Sequence, residues 1–170
     1  HQTVLIADTA VTERPDAEQL AAIALRSAGF ARRMGLEPRI AFISYTTFGN
    51  PPGMHIDELR GAVKLLDSLR CDFEYEGEMG PDVALNFDMQ RRFYPFSRLS
   101  GPANVLVMPG LQSANLTAKM LKELGGGTVM GPYILGLELP VQIAPMTASA
   151  SDLVTLAVLA ALGARERPNP

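Results

Sequence analysis

The sequence predicts an α/β fold in which three layers, helix, sheet and helix, surround a mostly parallel sheet. Apolar runs of strand length alternate along the chain with amphipathic segments of helical period. Several of these runs are apolar at every position, which is typical of strands buried on both faces. The 170 residues, 47% hydrophobic and 19% charged, suffice for the core of one ordinary domain.

The first strand and helix are predicted from residues 3–38. Residues 3–10 (TVLIADTA) are predicted to form a buried strand that leads into a loop. Asp16 and Gln19 have the spacing of a capping box, so a helix is expected to begin there. Gly35 can end that helix, and Pro38 prevents its resumption.

The middle of the chain repeats the alternation. Residues 39–45 (RIAFISY) are predicted as a strand, and Ile56, Leu59, Val63 and Leu66 as one face of a helix. Residues 71–75 (CDFEY) can form a further strand because they alternate. For residues 77–97 we expect a turn, a short helix and an irregular aromatic stretch.

The last third is less regular. Residues 104–108 (NVLVM) are predicted as a buried strand and residues 113–124 as a helix. The glycine-broken segment from 125 to 145 is expected to form short strands and tight turns. Ser149 and Asp152 then start a helix that continues to Gly163. We expect residues 3–164 to form the domain, residues 1–2 to lie outside it, and residues 165–170 to form a polar tail.

Composition excludes several classes of function. A net charge of −3 and a pI near 5.4 argue against a surface for nucleic acid or for an anionic membrane. One cysteine excludes an intrachain disulfide framework and a zinc site built of several cysteines. No apolar run reaches the length of a membrane span and no signal peptide is expected, so we expect a cytoplasmic protein. We also expect no metal site in this chain.

Ligands of parallel sheets bind at the carboxyl ends of the strands. The loop containing Ser44, Thr46 and Gly49 follows a strand there, and its hydroxyl and N–H groups are suited to a phosphate. An ordinary connection from strand to helix is the alternative, because neither a Walker loop nor a GxGxxG motif is present. His55 is expected to be a surface histidine.

Charged residues in the middle of the chain have two interpretations each. The acids of residues 71–78 (CDFEYEGE) are expected to form mostly a solvated edge, and a cation site at Glu76, Glu78 and Asp82 is the alternative. Arg91 and Arg92 stand beside aromatic residues, which favours surface pairs or an interface over an anion site.

Three segments in order resemble one family. They are residues 7–49 (ADTAVTERPDAEQLAAIALRSAGFARRMGLEPRIAFISYTTFG), 76–86 (EGEMGPDVALN) and 101–141 (GPANVLVMPGLQSANLTAKMLKELGGGTVMGPYILGLELPV). Together they are similar to the second half of the phosphate acetyl/butyryltransferase (phosphotransacetylase) family, from about Val4 to Gly163. The resemblance implies a second subdomain plus a returning C-terminal helix.

Particular residues within these segments are similar to those of one branch of the family. GEM at 77–79, DVALN at 82–86 and VLVMP at 105–109 resemble the phosphotransacetylase-like C-terminal module of bacterial NADP-dependent malic enzymes. That resemblance implies a module that binds acetyl-CoA or a related acyl-CoA, self-associates and regulates the malic enzyme domains of the same chain. NADP and Mg²⁺ or Mn²⁺ would belong to those domains, and this segment would hold no cofactor.

The resemblance also implies that transferase chemistry is lost. In residues 140–152 (PVQIAPMTASASD), Pro145 and Met146 stand where active members of the family carry serine and arginine, while Asp152 remains. Neither replacement can stabilise the charge of the acyl-transfer transition state, so Asp152 is catalytic only if transferase activity persists. The candidate ligand contacts, transferred by loop, are Ser44, Thr46, Gly49, Asn115, Gly131, Pro132 and Met146.

Two alternatives remain open. One is an active phosphate acetyl/butyryltransferase that moves an acyl group between acyl phosphate and CoA. The other is a purely structural dimerisation domain that associates through Phe93, Tyr94, Phe96 and the apolar C-terminal helix.

Overall fold

A computed structural model describes residues 2–52, 56–125 and 127–165. They fall into two compact units, residues 1–118 and 119–170, which are treated separately. The predictions for His1, His55 and the tail from residue 166 onward lie outside the described residues, as does Gly126.

The first unit contains a parallel sheet. Its strands are β1 (Leu5–Ala7), β2 (Arg39–Ile43), β3 (Glu74–Met79) and β4 (Val105–Val107). They lie in the order β1-β4-β2-β3, and every pairing is parallel. The predicted α/β class is confirmed, and the carboxyl ends of all four strands meet at one edge of the sheet.

Helices connect and follow the strands, and their bounds agree with most of the expected segments. They are α1 (Ala17–Arg33), α2 (Asp57–Leu69), α3 (Pro81–Leu85), α4 (Phe87–Phe93), α5 (Leu111–Leu124) and α6 (Ala150–Arg165). No helix in the described ranges is both long and apolar enough to cross a membrane.

Alternating side chains of the strands fill two cores, one on each face of the sheet. Ile40 and Phe42 of β2 point to the core formed with α1 and α2. Ala41 and Ile43 point to the opposite core, where α3, α4 and the start of α5 pack. Since neighbouring strand residues face opposite sides, this arrangement gives the predicted three layers.

The capping box of α1 is present as predicted. The Asp16 carboxylate accepts a hydrogen bond from the Gln19 N–H at 2.8 Å, and the Gln19 side chain accepts one from the Asp16 N–H at 3.0 Å. Gly35 adopts φ +76° just beyond the helix, a conformation that costs a glycine little. Asp16 therefore fixes where α1 begins, and Gly35 allows the chain to turn away.

The structure differs from the expected elements at two places. The third strand begins at Glu74 and runs to Met79, rather than occupying residues 71–75, and a second short helix, α4, follows α3. Residues 127–149 contain no strand, although short strands were expected. Pro132, Pro140 and Pro145 interrupt this segment, and proline cannot donate to a ladder of strand hydrogen bonds.

Candidate functional site

The loop after β2 and the end of β3 form a connected polar cluster in the first unit. Because β2 and β3 are parallel neighbours, their carboxyl ends bring Ser44 and Glu78 to the same edge of the sheet. Arg60 of α2 reaches this edge from one side. The cluster therefore joins three elements that are distant in sequence.

Glu78 is the centre of the cluster, and its side chain is only 1% exposed. Its carboxylate accepts hydrogen bonds from the Gly49 N–H at 2.6 Å and from the Thr46 hydroxyl at 3.3 Å. Arg60 completes the arrangement with its Nε at 2.9 Å from one carboxylate oxygen and its Nη2 at 3.2 Å from the other. The Ser44 and Thr46 hydroxyls lie 3.1 Å apart.

These partners decide the charge state of Glu78. Burial alone would raise the pKa of this carboxyl, but the hydrogen bonds and positive charge of Arg60, with the Gly49 N–H, hold it below its usual value. The hydrogen bond to Glu78 in turn raises the pKa of Arg60. Glu78 and Arg60 are therefore both ionised at neutral pH.

Residues 47–50 form a tight turn next to this pair. The Thr47 N–H donates to the Asn50 carbonyl at 2.9 Å, and the Asn50 N–H donates back at 3.1 Å. Both central residues have positive φ, 48° at Phe48 and 88° at Gly49. Such a conformation is strained for a bulky residue such as phenylalanine.

The Phe48 ring belongs to an aromatic cluster with α4 and the segment after it. Its centre lies 5.4 Å from that of Tyr94 and 4.9 Å from that of Phe96, where the two planes meet at 67°. Edge-to-face contacts of this kind stabilise aromatic pairs beyond the area they bury. The cluster therefore holds the side chain of Phe48, while Glu78 holds the backbone of the same turn.

The prediction of a solvated acidic edge at Glu76 and Glu78 was wrong. Both side chains are buried, and each pairs with an arginine, Glu76 with Arg98 at 3.2 Å and Glu78 with Arg60. Carboxylates inside a strand need such partners, because an unpaired buried charge is costly. Sequence reasoning missed Arg60 and Arg98, since neither is near its glutamate in sequence; the two acids inside a strand-like run were the available signal.

Arg91 and Arg92 each lie over an aromatic ring of their own helix, α4. The Arg91 guanidinium lies 5.8 Å from the Phe87 ring centre and the Arg92 guanidinium 5.3 Å from the Phe93 ring centre. At these distances the contacts are cation–π interactions.

Asn115 lies at the second junction of strand ends, between β1 and β4. Its side-chain amide donates to the Thr9 carbonyl at 3.1 Å, which ties the start of α5 to the loop after β1. In that loop the Asp8 carboxylate accepts hydrogen bonds from three backbone N–H groups and from the Thr12 hydroxyl, all at 2.9 Å. Burial opposes ionisation of Asp8, yet these bonds lower its pKa below the usual value.

The second unit holds the remaining candidates. Gly131, at φ +107°, lines a small cavity of about 60 Å³, and the cavity wall also includes Lys122, Tyr133, Pro145 and Asp152. Pro132 is half-buried, and the Met146 side chain is fully exposed. Gly131 is thus the one predicted ligand contact on this wall among the described residues.

Asp152 has a structural task in the second unit. Its carboxylate accepts hydrogen bonds from the Ser149 N–H at 2.9 Å and the Ser149 hydroxyl at 2.8 Å, while the Asp152 N–H donates to that hydroxyl oxygen at 3.2 Å. These bonds to Ser149, and the charge of Lys122, lower the pKa of Asp152. The predicted capping box at the start of α6 is therefore present.

The structure thus brings Ser44, Thr46 and Gly49 together around Glu78, and it places Asn115 at a separate junction of strands. Gly131, Pro132 and Met146 belong to the second unit. Within the described ranges, no three His, Cys, Asp or Glu side chains converge as metal ligands would. The contacts of these candidates with a ligand stay predictions.

This arrangement of sheet, loops and C-terminal helix can be compared with known proteins. The family model described as "Phosphate acetyl/butaryl transferase" matches residues 1–161. The chain belongs to this family. The family resemblance in the three segments is confirmed.

Within this transferase family, both curated and solved relatives were found. The chain is 56% identical over 163 residues to the NADP-dependent malic enzyme of Rhizobium meliloti. This alignment covers 96% of the chain and 21% of that protein. It is 35% identical over 167 residues to the phosphate acetyltransferase of Nitrosomonas europaea, covering 98% of the chain and 24% of that protein. The chain therefore spans about a fifth to a quarter of these curated relatives.

A solved member of the transferase family has the same fold. The structure of a phosphotransacetylase from Streptococcus pyogenes superposes with a TM-score of 0.89 at 33% identity. The superposition covers 95% of this chain and 49% of that one. The predicted resemblance to the phosphotransacetylase-like module of NADP-dependent malic enzymes is confirmed as well, because the malic enzyme above matches nearly the whole chain.

Proposed function

We propose that this chain is an acyl-CoA-responsive regulatory and oligomerisation module of an NADP-dependent malic enzyme. The observation that carries the proposal is the 56% identity to the Rhizobium meliloti malic enzyme, against 35% to the Nitrosomonas europaea phosphate acetyltransferase. The parent protein would be cytoplasmic and would convert malate to pyruvate and CO₂ with NADP and Mg²⁺ or Mn²⁺. Its malic enzyme domains, rather than the described residues here, would hold that cofactor and metal.

The proposal includes the loss of transferase chemistry. Attack of CoA on an acyl phosphate develops negative charge, which a fixed cation and a hydroxyl donor stabilise. Pro145 has no donor, and Met146 presents an uncharged thioether directly to solvent. The Asp152 carboxylate accepts hydrogen bonds from the N–H and the hydroxyl of Ser149 at the start of α6. Helix capping therefore accounts for Asp152 without a catalytic role.

Ligand binding is assigned to the loops that follow the strands. In the first unit the candidates are Ser44, Thr46, Gly49 and Asn115; in the second they are Gly131, Pro132 and Met146. Acetyl-CoA would regulate by binding one conformation of the malic enzyme more tightly than another, since only a difference in affinity shifts an equilibrium.

Titration calorimetry of the intact protein with acetyl-CoA tests the proposal, together with the rate of malate-dependent NADP reduction. We expect measurable heat of binding and a changed rate in the presence of acetyl-CoA. Binding without any change in the rate would contradict the regulatory role. If the protein shows no heat of binding and no thermal shift with acetyl-CoA, that result contradicts acyl-CoA binding. It then favours a structural module, in which exposed Phe93 and Phe96 form an interface.

A second candidate is an active phosphate acyltransferase. Membership of the transferase family and the similarity to a phosphate acetyltransferase favour it. The intact protein would then form acetyl-CoA and phosphate from acetyl phosphate and CoA, which thioester absorbance measures. Turnover that Asp152→Ala abolishes would establish this candidate and overturn the loss of transferase chemistry.

A further inference from the structure

The groups around Glu78 are arranged as they would be around a bound anion. Two donors come from the loop after β2, the Thr46 hydroxyl and the Gly49 N–H, and two from the Arg60 guanidinium. The anion that they share is a carboxylate of the protein itself. Two of the groups predicted to contact a ligand, the Thr46 hydroxyl and the Gly49 N–H, are thus already bonded to Glu78.

We infer that Glu78 is a positioning residue: fixed by Arg60, its carboxylate holds the 44–50 loop in the conformation that binds acyl-CoA. The inference rests on the proposed function, because that function assigns the ligand. Glu78 acts through Thr46 and Gly49, which its carboxylate holds directly, rather than by touching the ligand. Its carboxylate is bonded to the Thr46 hydroxyl, the Gly49 N–H and Arg60, and its negative charge would repel the phosphates of CoA.

The turn at 47–50 needs such an anchor. Phe48 has φ 48° and Gly49 has φ 88°. The positive φ strains the backbone of Phe48, so the turn keeps this conformation only while its surroundings hold it. The Gly49 N–H gives its hydrogen to Glu78, and a Cβ at Gly49 would lie 2.9 Å from Nη2 of Arg60. Glu78 therefore accepts the hydrogen bond of the Gly49 N–H, and Arg60 fills the space that a side chain at position 49 would need.

The backbone around Glu78 connects the same loop to β3. The Phe48 N–H donates to the Glu78 carbonyl at 2.9 Å, and the Gly80 N–H donates to the Thr47 hydroxyl at 2.9 Å. Residues 78–80 thus hold three consecutive residues of the turn. These backbone bonds keep the loop near β3 when the side chain is changed, so removal of the carboxylate alters the loop's conformation before it alters the fold.

The chain contains a matched control for this pair. Glu76 lies on the same strand, is also buried, and pairs with Arg98. Its carboxylate accepts from the Arg98 N–H at 3.0 Å and contacts no residue of the 44–50 loop in the hydrogen bonds described. A change at Glu76 therefore reproduces the loss of a buried ion pair without the loss of the loop's anchor.

The experiment compares Glu78→Gln with Glu76→Gln in the intact protein, with thermal melts of both. We expect both variants to melt at lower temperature and to keep the native circular dichroism. Acetyl-CoA affinity, measured by calorimetry, should fall about tenfold in Glu78→Gln, the scale of one lost hydrogen bond to a charged group. It should stay within about twofold of the wild type in Glu76→Gln.

Arg60→Lys is the second variant, because Arg60 is half-exposed and its replacement leaves the core packed. It keeps the charge and loses the two-pronged contact with Glu78, so we expect a smaller loss of affinity than in Glu78→Gln. Hydrogen exchange at the Gly49 amide without ligand should quicken in Glu78→Gln and Arg60→Lys but not in Glu76→Gln.

The outcomes separate the two proposals. Wild-type protein that binds no acetyl-CoA overturns the proposed function, and with it the ligand role of the loop. If the wild type binds acetyl-CoA and Glu78→Gln binds it with unchanged affinity, the positioning role alone is overturned. Equal loss in both glutamate variants also overturns it, because the effect is then one of general stability.

Discussion

The Arg98 guanidinium lies over the ring of Tyr75, with 4.6 Å between its central carbon and the ring centre. From there it donates to Glu76 and to Asp67, so one side chain joins β3, α2 and the segment before β4. The Ser100 N–H donates to Glu74 at 2.8 Å and ties the same segment to the strand. Since β3 is one of the two edge strands of the described sheet, Arg98 ties α2 and the segment before β4 to that edge.

Replacement of Arg98 by methionine should lower the free energy of unfolding by about 1–3 kcal/mol, because the buried Glu76 then loses its partner. The lower end is expected, since Arg98 is partly solvated. Urea denaturation followed by circular dichroism measures the change. Arg91→Met, on an exposed face of α4, is the control and should cost less than about 0.5 kcal/mol. Equal losses in the two variants would contradict the argument.

Gly77 is required for the close approach of β3 to β2. Its φ is +152°, and a Cβ there would lie 2.8 Å from the Phe42 Cβ and 2.9 Å from the Phe42 carbonyl oxygen. Gly77→Ala should therefore destabilise the protein by about 1–3 kcal/mol, as overpacking of a core does. The free energy of unfolding in urea tests this value.

Gly35→Ala is the matched control for Gly77→Ala. Gly35 also has a positive φ, +76°, but no atom lies within 4 Å of the position that its Cβ would take, so only backbone strain is added. That strain costs about 1 kcal/mol. A larger loss at Gly35 than at Gly77 would show that steric contact with Phe42 does not govern this strand pairing.

Local signals were sufficient to predict several elements. Asp16 and Gln19 are three residues apart, and both hydrogen bonds of their capping box depend only on that spacing. The fully apolar run before Pro109 likewise predicted β4. The family resemblance added the arrangement of the whole chain, which no local pattern contains.

The central feature of the candidate site could not be predicted in the same way. The burial of Glu78 depends on Arg60, which stands 18 positions earlier on another element. The β2–β3 register also shifts between Phe42 and Ile43, so Gly77 pairs with Phe42 and Met79 with Ile43. A simple alternation of side chains fails at such a bulge, so the pattern does not predict that the strand extends to Met79.

Acid should destabilise the first unit through Glu78. Its pKa in the folded state is below the ordinary value of 4.5, so its contribution to stability is present above pH 4.5 and is lost as the pH falls through the lower folded value. We expect the free energy of unfolding to decrease below about pH 4.5 and to decrease less steeply in Glu78→Gln. Urea denaturation between neutral pH and pH 3 measures both slopes; identical slopes would contradict the assignment.

Asp152 and Ser149 should act as one unit. Each side chain accepts a hydrogen bond from the other residue's backbone N–H, so removal of either side chain opens the same capping box. Asp152→Ala and Ser149→Ala are therefore expected to lower the melting temperature by similar small amounts, and the double variant by less than their sum. Differential scanning calorimetry of the intact protein measures the three shifts. A catalytic Asp152 would break this symmetry: acetyl phosphate turnover would be present in the wild type, would survive Ser149→Ala, and would be lost in Asp152→Ala.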